Sequence, residues 1–386
     1  MKKLSVLLLL GLSAAMLLTG CGKKETPQEE TPSVTEEAIP ESVPAETETE
    51  TETETEPEDI PPEEGMVRST LTNEWIDGAI ADQRPIAVMV PNNSAALPHY
   101  ALSQADILYE CPVEGDITRL MAIIKDWDRE DMSRIGNVRS LRDYFAYWSF
   151  EWDSILFHYG GPFYIEDVIE KSSTENVTGA GYGASGKKGL FDGAYFRSSD
   201  RSAPHNAYLS AEGANKAIEH FGFSKTYRED YYKPEHFQFA SESSPNTLEQ
   251  YDNSFVVNKI DMSACYPVSE TYFEYNEEDG LFYRYEYGKA HTDAAFDNAQ
   301  LAFKNVLVQF AYYEVRDNNG YLAFQVHDDT KDGYYFTNGR GVHVTWEKTA
   351  DYEPTRYYDD NGNEIQLNTG KTMICIVEDG DEFGYD

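Results

Sequence analysis

Near its start the chain has a predominantly hydrophobic stretch from Leu4 to Leu18, preceded by Lys2 and Lys3. A short positive segment followed by such a stretch is typical of a secretory signal peptide, and the stretch is shorter than the ~20 residues that a transmembrane helix needs. No later hydrophobic stretch is as long. Residues 1–20 are therefore predicted to be a signal peptide.

The stretch ends at Leu18-Thr19-Gly20-Cys21, which resembles the lipobox of bacterial lipoproteins: an apolar residue and two small residues followed by cysteine. The resemblance implies that the Cys21 thiol receives a diacylglycerol and becomes the first residue of the mature protein. Stable anchoring needs two acyl chains, which this group supplies. We expect a lipid anchor on the extracytoplasmic face of the cell membrane. The alternative is an ordinary signal peptide followed by an incidental cysteine.

Large hydrophobic residues almost disappear from residues 21–65, which are rich in Glu, Thr and Pro. The part from Gly22 to Gly65 contains fifteen Glu and one Asp against two Lys, a net charge of −14. Such a segment cannot bury enough apolar surface to offset its ordering entropy, and its like charges and prolines keep it extended. We predict a disordered acidic tether between the membrane and a folded body.

Strand-like and helix-like patterns alternate in residues 66–245. The predicted strands are Pro85–Val90, Asp106–Glu110, Arg119–Asp126 and Ser154–Gly160, and the predicted helices are Leu141–Trp152, Tyr164–Lys171 and Ala207–Phe221. This alternation is typical of an α/β sandwich.

Strand patterns dominate residues 246–386. Asp279-Gly280 separates two aromatic-rich runs and predicts a β-hairpin, and Asn361-Gly362 predicts a second one. Further strands are predicted at Phe255–Asp261 and at Asn305–Val315, the latter joined by a turn to Tyr321–His327. The fold class is therefore α+β, with an N-terminal α/β sandwich domain followed by a mainly β domain.

The charge of the chain excludes one class of partner. The whole sequence has a formal net charge of −38, and residues 66–386 contribute 27 basic and 53 acidic residues, a net of −26. Nucleic-acid binding requires the opposite sign. Cys111, Cys265 and Cys375 are too widely spaced for a zinc cluster or a disulfide scaffold and are predicted to be small core residues. No metal site and no cofactor is predicted.

Polar residues gather near the predicted strand ends of the first domain, where open α/β sheets bind ligands. Residues 136–143 should join a strand to a helix N-terminus, whose backbone N–H groups favour anions, and arginines there would add charge-assisted hydrogen bonds. Histidines and glutamates nearby could transfer protons. The candidate pocket consists of Glu110, Glu114, Arg119, Arg139, Arg142, His158, Arg201, His205 and Asn206. The alternative is that these residues pair with each other and serve only the fold.

Several of these residues lie in blocks that resemble a known family. The ordered blocks RPIAVMVPN, IGNVRSLRDYF, HYGG, PHNAYLS and HTDAAFDNAQLAFKNVLVQ are similar to those of the YerB-like lipoproteins of Gram-positive bacteria, over Arg84 to Val377. The resemblance implies a two-domain extracytoplasmic lipoprotein and supplies no activity. One departure is Cys111, where the family carries a small residue such as alanine; this argues against a functional thiol.

Three functions are compatible with the sequence. The first is an accessory role, in which the body binds a cell-wall glycan or another anionic extracellular ligand through the candidate pocket. The second is an envelope enzyme that acts on a glycan or a phosphate-bearing polymer, with the arginines holding the anion and Glu110, Glu114, His158 or His205 moving protons. The third is a pure interaction partner for another membrane protein.

Overall fold

Strands dominate the part of the chain that the structure, a computed structural model, describes, which is residues 60–386. The predicted signal peptide, Cys21 and nearly all of the predicted tether lie outside the described residues. The described residues belong to one compact unit. In the described part, no helix is long and apolar enough to cross a membrane.

Many short strands and a few helices follow one another along the described residues. The strands of the first half are β1 (Met66–Arg68), β2 (Trp75–Asp77), β3 (Ile86–Pro91), β4 (Ile107–Pro112), β5 (Thr118–Ile124), β6 (Ile135–Gly136), β7 (Ile155–His158), β8 (Asn176–Thr178), β9 (Tyr195–Arg197), β10 (Ala207–Leu209) and β11 (Gln238–Phe239). Those of the second half are β12 (Phe255–Val256), β13 (Lys259–Asp261), β14 (Tyr272–Asn276), β15 (Leu281–Glu286), β16 (Lys289–Ala290), β17 (Thr292–Asp293), β18 (Ala299–Gln300), β19 (Ala302–Phe303), β20 (Asn305–Ala311), β21 (Tyr313–Val315), β22 (Leu322–Phe324), β23 (Asp329–Thr337), β24 (Arg340–Lys348), β25 (Arg356–Tyr358), β26 (Gln366–Leu367), β27 (Thr372–Glu378) and β28 (Gly384–Tyr385). The α-helices are α1 (Asp143–Glu151), α2 (Glu166–Ile169) and α3 (Ala211–Phe221), and short 3₁₀ helices span Gly78–Ile80, Ser94–Ala96, Leu102–Gln104, Phe163–Ile165 and Asp192–Ala194.

A central sheet of eleven strands contains strands from both halves of the chain. Its order is β12-β24-β23-β20-β27-β4-β5-β3-β7-β8, with β25 paired to β24. The two halves meet where β27 lies parallel to β4, with Thr372 opposite Ile107 and Cys375 opposite Glu110. One sheet therefore crosses the predicted domain boundary, and the boundary between residues 245 and 246 stays a prediction.

Strands β3, β4 and β5 are buried along their whole length, which explains their continuous apolar sequences. Alternate side chains enter two hydrophobic cores on opposite faces of the sheet, as Val88 and Met89 do. Trp148 of α1 packs into one core, and Ile218 of α3 packs into the other. The described chain is mostly strands with few helices. The α/β sandwich assigned to residues 66–245 stays a prediction.

Most predicted elements of the first half are present. Strands β3, β4, β5 and β7 confirm the four predicted strands, and α1 confirms the first predicted helix. The helix predicted over Ala207–Phe221 is wrong at its start, because Ala207–Leu209 forms a strand between β6 and β9. Helix α3 then begins after Ser210, whose hydroxyl accepts a hydrogen bond from the Gly213 N–H at 3.1 Å. The helix predicted over Tyr164–Lys171 is reduced to a 3₁₀ turn and the four residues of α2.

The second half confirms both predicted hairpin turns and adds one that was not predicted. Strands β14 and β15 pair across Asp279-Gly280, with Gly280 at φ +71°. Strands β21 and β22 also pair, around the predicted turn at residues 317–320. The turn predicted at Asn361-Gly362 is present as a short hairpin, in which Tyr358 pairs antiparallel with Glu364 and the Ile365 N–H donates to the Tyr357 carbonyl at 2.8 Å. Strand β27, which follows, pairs with β20 and β4 instead of β25. The longest hairpin, β23 with β24, was not predicted. It turns at Asn338-Gly339, with φ of +50° and +68°.

The three cysteines of the described part are free and buried, as predicted for core residues. Burial raises the pKa of the thiols of Cys111 and Cys375 well above their usual value and that of Cys265 to about 12. All three thiols are therefore protonated and unreactive at neutral pH.

Candidate functional site

The carboxyl ends of three parallel strands meet at one edge of the central sheet. Strand β7 lies parallel to both β3 and β8. The loop that leads to α1 crosses this edge: the Arg139 N–H donates to the Met89 carbonyl at 2.8 Å, and the Tyr159 N–H donates to the Arg139 carbonyl at 2.9 Å. Helix α1 begins at Asp143, directly after this loop. The predicted meeting of strand ends with a helix N-terminus is therefore present.

Three arginines gather at this edge around one carboxylate, and we call Glu114, Arg119, Arg139 and Arg142 the arginine group. Arg142 is 5% exposed, and its Nε donates to Glu114 Oε2 at 2.9 Å while a second guanidinium nitrogen contacts Oε1. Arg119 is 4% exposed and donates to the Ser140 carbonyl at 2.7 Å. The group holds three positive charges and one negative charge.

The electrostatics of the arginine group reflect this excess of positive charge. Burial, and then the positive charge of Arg142, lowers the pKa of Arg119 to about 9 and lowers the pKa of Arg139. Burial on its own would raise the pKa of Glu114, but the hydrogen bonds and charge of Arg142 outweigh it and hold that pKa below its usual value. Glu114 is therefore an ionised counter-ion, and two arginine charges remain without a carboxylate of their own.

Several polar atoms of the group have no partner among residues 60–386. The buried Nε atoms of Arg119 and Arg139 make no hydrogen bond. The half-buried guanidinium of Arg139 has no hydrogen bond and no ion pair in that range. Buried donors of this kind are nearly always satisfied in native proteins.

His205 lies beside the arginine group. Its Nε2 lies 3.4 Å from Asn93 Nδ2, an amide donor, so Nε2 is the acceptor and Nδ1 carries the proton of the neutral ring. That buried Nδ1 has no partner among the described residues. Burial, followed by the nearby charges of Arg139 and Arg201, lowers the pKa of His205.

Arg201 and Asn206, two other predicted pocket residues, hold loops together. The Arg201 guanidinium donates to the Ala96 carbonyl at 2.5 Å and also to the carbonyl of Leu97. Asn206 Oδ1 accepts from Arg197 at 2.7 Å. Their polar groups thus form hydrogen bonds within the protein.

His158 and Glu110 are fully buried, and their polar atoms are engaged. His158 Nδ1 lies 2.9 Å from the Gly160 carbonyl, and its Nε2 accepts from Asn176 at 3.1 Å. Burial lowers the pKa of His158 to about 4, so the ring is neutral at neutral pH. Glu110 accepts hydrogen bonds from Thr118, Asn92 and Arg284. Neither residue has a polar atom free to bind a ligand.

A buried chain of charged and polar residues beyond Glu110 was missed in the sequence. Arg284 lies between Glu110 at 2.8 Å and Glu286 at 2.9 Å and donates to His291 Nδ1. His291 Nε2 lies 2.9 Å from His99 Nδ1. No sequence signal relates these two histidines, because they are 192 positions apart.

His99, Glu286 and His291 are the residues of the described part whose donor atoms could hold a metal ion, since these atoms lie within 4.8 Å of one another. Burial lowers the pKa of His99 to about 3 and raises that of Glu286. A cleft of about 400 Å³ reaches this cluster and is lined by Leu97, Tyr287, Glu286 and His291 among others.

Comparison with known proteins gives consistent results in sequence and in structure. Residues 71–224 match the family model described as protein of unknown function (DUF3048) N-terminal domain, and residues 261–374 match the DUF3048 C-terminal domain. The protein YerB of Bacillus subtilis (strain 168), named as a lipoprotein, is 27% identical over 329 residues, which cover 83% of this chain and 89% of YerB.

A solved structure has the same fold. The crystal structure of Bacillus subtilis YerB matches with a TM-score of 0.67 and 24% identity, and the match covers 82% of this chain and 99% of the YerB chain. Both halves of the family thus occur in the same order in this chain. The chain belongs to the DUF3048 family, the family of YerB-like proteins.

Proposed function

We propose that the protein is an envelope lipoprotein whose body binds an anionic cell-wall or extracellular ligand at the arginine group. The diacylglyceryl group on Cys21 anchors it to the extracytoplasmic face of the membrane, and residues 21–65 serve as the tether. The lipobox-like sequence supports the anchor, as does the naming of the Bacillus subtilis relative as a lipoprotein.

The observation that carries the binding proposal is the Arg139 guanidinium, which has no hydrogen-bond or ion-pair partner among residues 60–386. It is close enough to Arg119, whose Nε is a second orphan donor, for its charge to lower the pKa of Arg119. An unsatisfied buried donor costs about 1–3 kcal/mol, and more when the group is charged. A phosphate or carboxylate oxygen placed between these two donors would remove that cost and would form charge-assisted hydrogen bonds.

The surroundings of Arg139 favour an anion over a neutral ligand. The only carboxylate of the arginine group, Glu114, is held by Arg142, so it does not compete for Arg139. His205 Nδ1–H adds a neutral donor next to the guanidinium. In a chain with a net charge of −38, a local excess of positive charge is a specific feature, and it suits wall polymers that carry phosphate or carboxylate groups.

The geometry favours binding over catalysis. Two of the four residues considered for proton transfer, Glu110 and His158, are buried and fully engaged. A third, Glu114, has a lowered pKa because Arg142 stabilises its charged form, which makes it a poor proton donor. Of the two candidate histidines, His205 alone has a ring nitrogen without a hydrogen-bond partner among residues 60–386.

The test uses the full chain, purified in detergent, and soluble wall-polymer fragments with and without their phosphate groups. We expect Arg139→Gln to weaken binding of the phosphate-bearing fragment by at least about tenfold, because a hydrogen bond to a charged group contributes roughly 1.5–3 kcal/mol. The matched control is Arg129→Gln, a surface arginine whose charge is paired by Asp126 and Asp131. Equal affinity of Arg139→Gln and the unchanged chain would overturn the proposal.

A further inference from the structure

Two histidines and one glutamate from distant parts of the chain meet in the protein interior. His99 lies between β3 and β4, Glu286 ends β15, and His291 lies between β16 and β17. Their exposed fractions are 0%, 2% and 2%. His99 Nδ1 and His291 Nε2 are 2.9 Å apart, and His291 Nε2 is 3.4 Å from Glu286 Oε1. Three donor atoms thus converge on one point.

One of these atoms has no partner. Glu286 Oε1 is buried and makes no hydrogen bond among the described residues, while Oε2 accepts from Arg284 at 2.9 Å. A buried carboxylate oxygen without a hydrogen bond is costly. The free lone pairs of Oε1 face the two histidine nitrogens and are available to a cation.

The groups behind His99 and Glu286 are those that metal ligands usually have. His99 Nε2 donates to the Pro91 carbonyl at 2.8 Å, which leaves its Nδ1 as a lone pair directed at the cluster. The Glu286 carboxylate is held by Arg284. Backbone carbonyls and charged groups that orient the ligands in this way occur behind most protein metal sites.

From this geometry we propose that His99, Glu286 and His291 form a binding site for a divalent transition-metal cation, with Zn²⁺ as the best-suited ion. Two imidazoles and one carboxylate are a ligand set that zinc accepts in catalytic-type sites, with a fourth position left for water or substrate. Ca²⁺ is disfavoured, because it requires six to eight oxygen ligands. The proposal does not depend on the arginine group.

The distances need little adjustment for zinc. Zn–N bonds of about 2.0–2.1 Å in a tetrahedron place two ligand atoms roughly 3.3 Å apart. The 3.4 Å separation between His291 Nε2 and Glu286 Oε1 already agrees with this value. The 2.9 Å separation between the two histidine nitrogens has to widen by about 0.4 Å.

Binding also changes the protonation of His291. Arg284 donates to His291 Nδ1, so in the metal-free protein the ring proton is on Nε2, where it points at His99 Nδ1. On binding, this proton leaves Nε2 and the neutral ring is protonated at Nδ1 instead, so the Arg284 guanidinium gives up its contact with Nδ1 and keeps its ion pairs with Glu110 and Glu286. The adjacent cleft of about 400 Å³, lined by Glu286 and His291, is the route for the metal and for a water ligand.

The experiment measures Zn²⁺ binding to the purified full chain after chelator dialysis, by competition with a chromogenic chelator, and records the absorption spectrum of the Co²⁺-substituted protein. We expect one equivalent of Zn²⁺ per chain and a tetrahedral Co²⁺ spectrum. His291→Gln and Glu286→Gln should each lose more than about 100-fold in Zn²⁺ affinity, beyond the 10–100-fold typical of changes behind the ligands.

The matched control is His236→Gln, since His236 is another buried histidine, stacked on Trp152 and away from the cluster. It should keep the Zn²⁺ affinity. Circular dichroism of each variant shows whether it folds, and the Co²⁺ spectrum of the unchanged chain gives the coordination geometry without any variant. The proposal is overturned if the unchanged chain binds no stoichiometric Zn²⁺, if Co²⁺ gives an octahedral spectrum, or if a folded His291→Gln chain binds Zn²⁺ as tightly as before.

Discussion

Arg284 and Glu110 form a fully buried ion pair, 2.8 Å from guanidinium nitrogen to carboxylate oxygen, across 174 positions of sequence. Glu110 belongs to β4 in the first half of the chain, and Arg284 belongs to β15 in the second half. Burial alone would lower the pKa of Arg284, but Glu110 and Glu286 more than reverse this effect and raise it. The pair therefore holds two oppositely charged groups in the interior that joins the two family regions.

Glu110→Ala should destabilise the protein by roughly 3–5 kcal/mol, because it leaves the buried Arg284 charge with one carboxylate instead of two. Chemical denaturation of the unchanged and variant chains measures this difference. Glu212→Ala is the control, since Glu212 is exposed and pairs only with Lys216 on the surface of α3. It should change stability by less than about 0.5 kcal/mol. Similar losses for both variants would contradict a special role for the buried pair.

His158 should make stability depend on pH in a defined window. Its folded-state pKa is lowered by burial to about 4, while the unfolded value is 6.5. The unfolded chain therefore binds the proton more readily. The contribution of neutral His158 to the free energy of unfolding is complete above pH 6.5 and is lost as the pH falls from there towards about 4. Denaturation at pH 7 and pH 5 should show a smaller loss of stability for His158→Gln than for the unchanged chain. An equal loss in the two chains would exclude this group as a source of the dependence.

The unpredicted hairpin between β23 and β24 provides a test of the fold. Gly339 has φ +68°, and a Cβ there would lie 2.5 Å from the Tyr275 ring. Gly339→Ala should lower stability by more than Gly320→Ala, because Gly320 has a similar φ of +80° but open space around it. Both variants carry about 1–2 kcal/mol of left-handed backbone strain, and only the first adds a clash. Equal thermal shifts would show that the turn is not packed against Tyr275.

Cys21→Ser should release the protein from the membrane fraction, because the predicted acyl chains have no other attachment point. Cell fractionation and immunoblotting measure the distribution, and Cys111→Ser, which changes a buried core thiol, is the control. If the Cys21→Ser chain stays in the membrane fraction to the same extent, the anchor lies elsewhere.

The sequence was informative where a residue's environment is local. Strands β3 and β5 were predicted because a segment buried on both faces is continuously apolar, and the β14–β15 hairpin was predicted because Asp-Gly selects a tight turn. The position of β27 between β20 and β4 was not predictable, since its pairing partner precedes it by about 265 residues. A turn dipeptide such as Asn361-Gly362 shows that the chain reverses but not which strands pair.

For the candidate site too, the sequence predicted what depends on neighbouring residues and did not predict what depends on long-range packing. The loop from Arg139 to Arg142 was predicted beside a helix N-terminus, because a strand and a helix flank it in the sequence. The burial of His158 and the engagement of Glu110 by Arg284 depend on long-range packing, so the sequence could not separate them from the arginine group. The approach of His99 to His291 was hidden for the same reason.

Anion binding at the arginine group is tested most directly by the ¹H–¹⁵N resonances of the arginine Nε–H groups in the full chain, recorded while inorganic phosphate or a phosphate-bearing wall-polymer fragment is added. The Nε–H signals of Arg119 and Arg139, which have no hydrogen-bond acceptor among residues 60–386, should shift downfield and saturate together, while the signal of surface-paired Arg129 stays in place. Unchanged signals from Arg119 and Arg139 at concentrations that saturate binding, or shifts confined to surface arginines, would contradict the account.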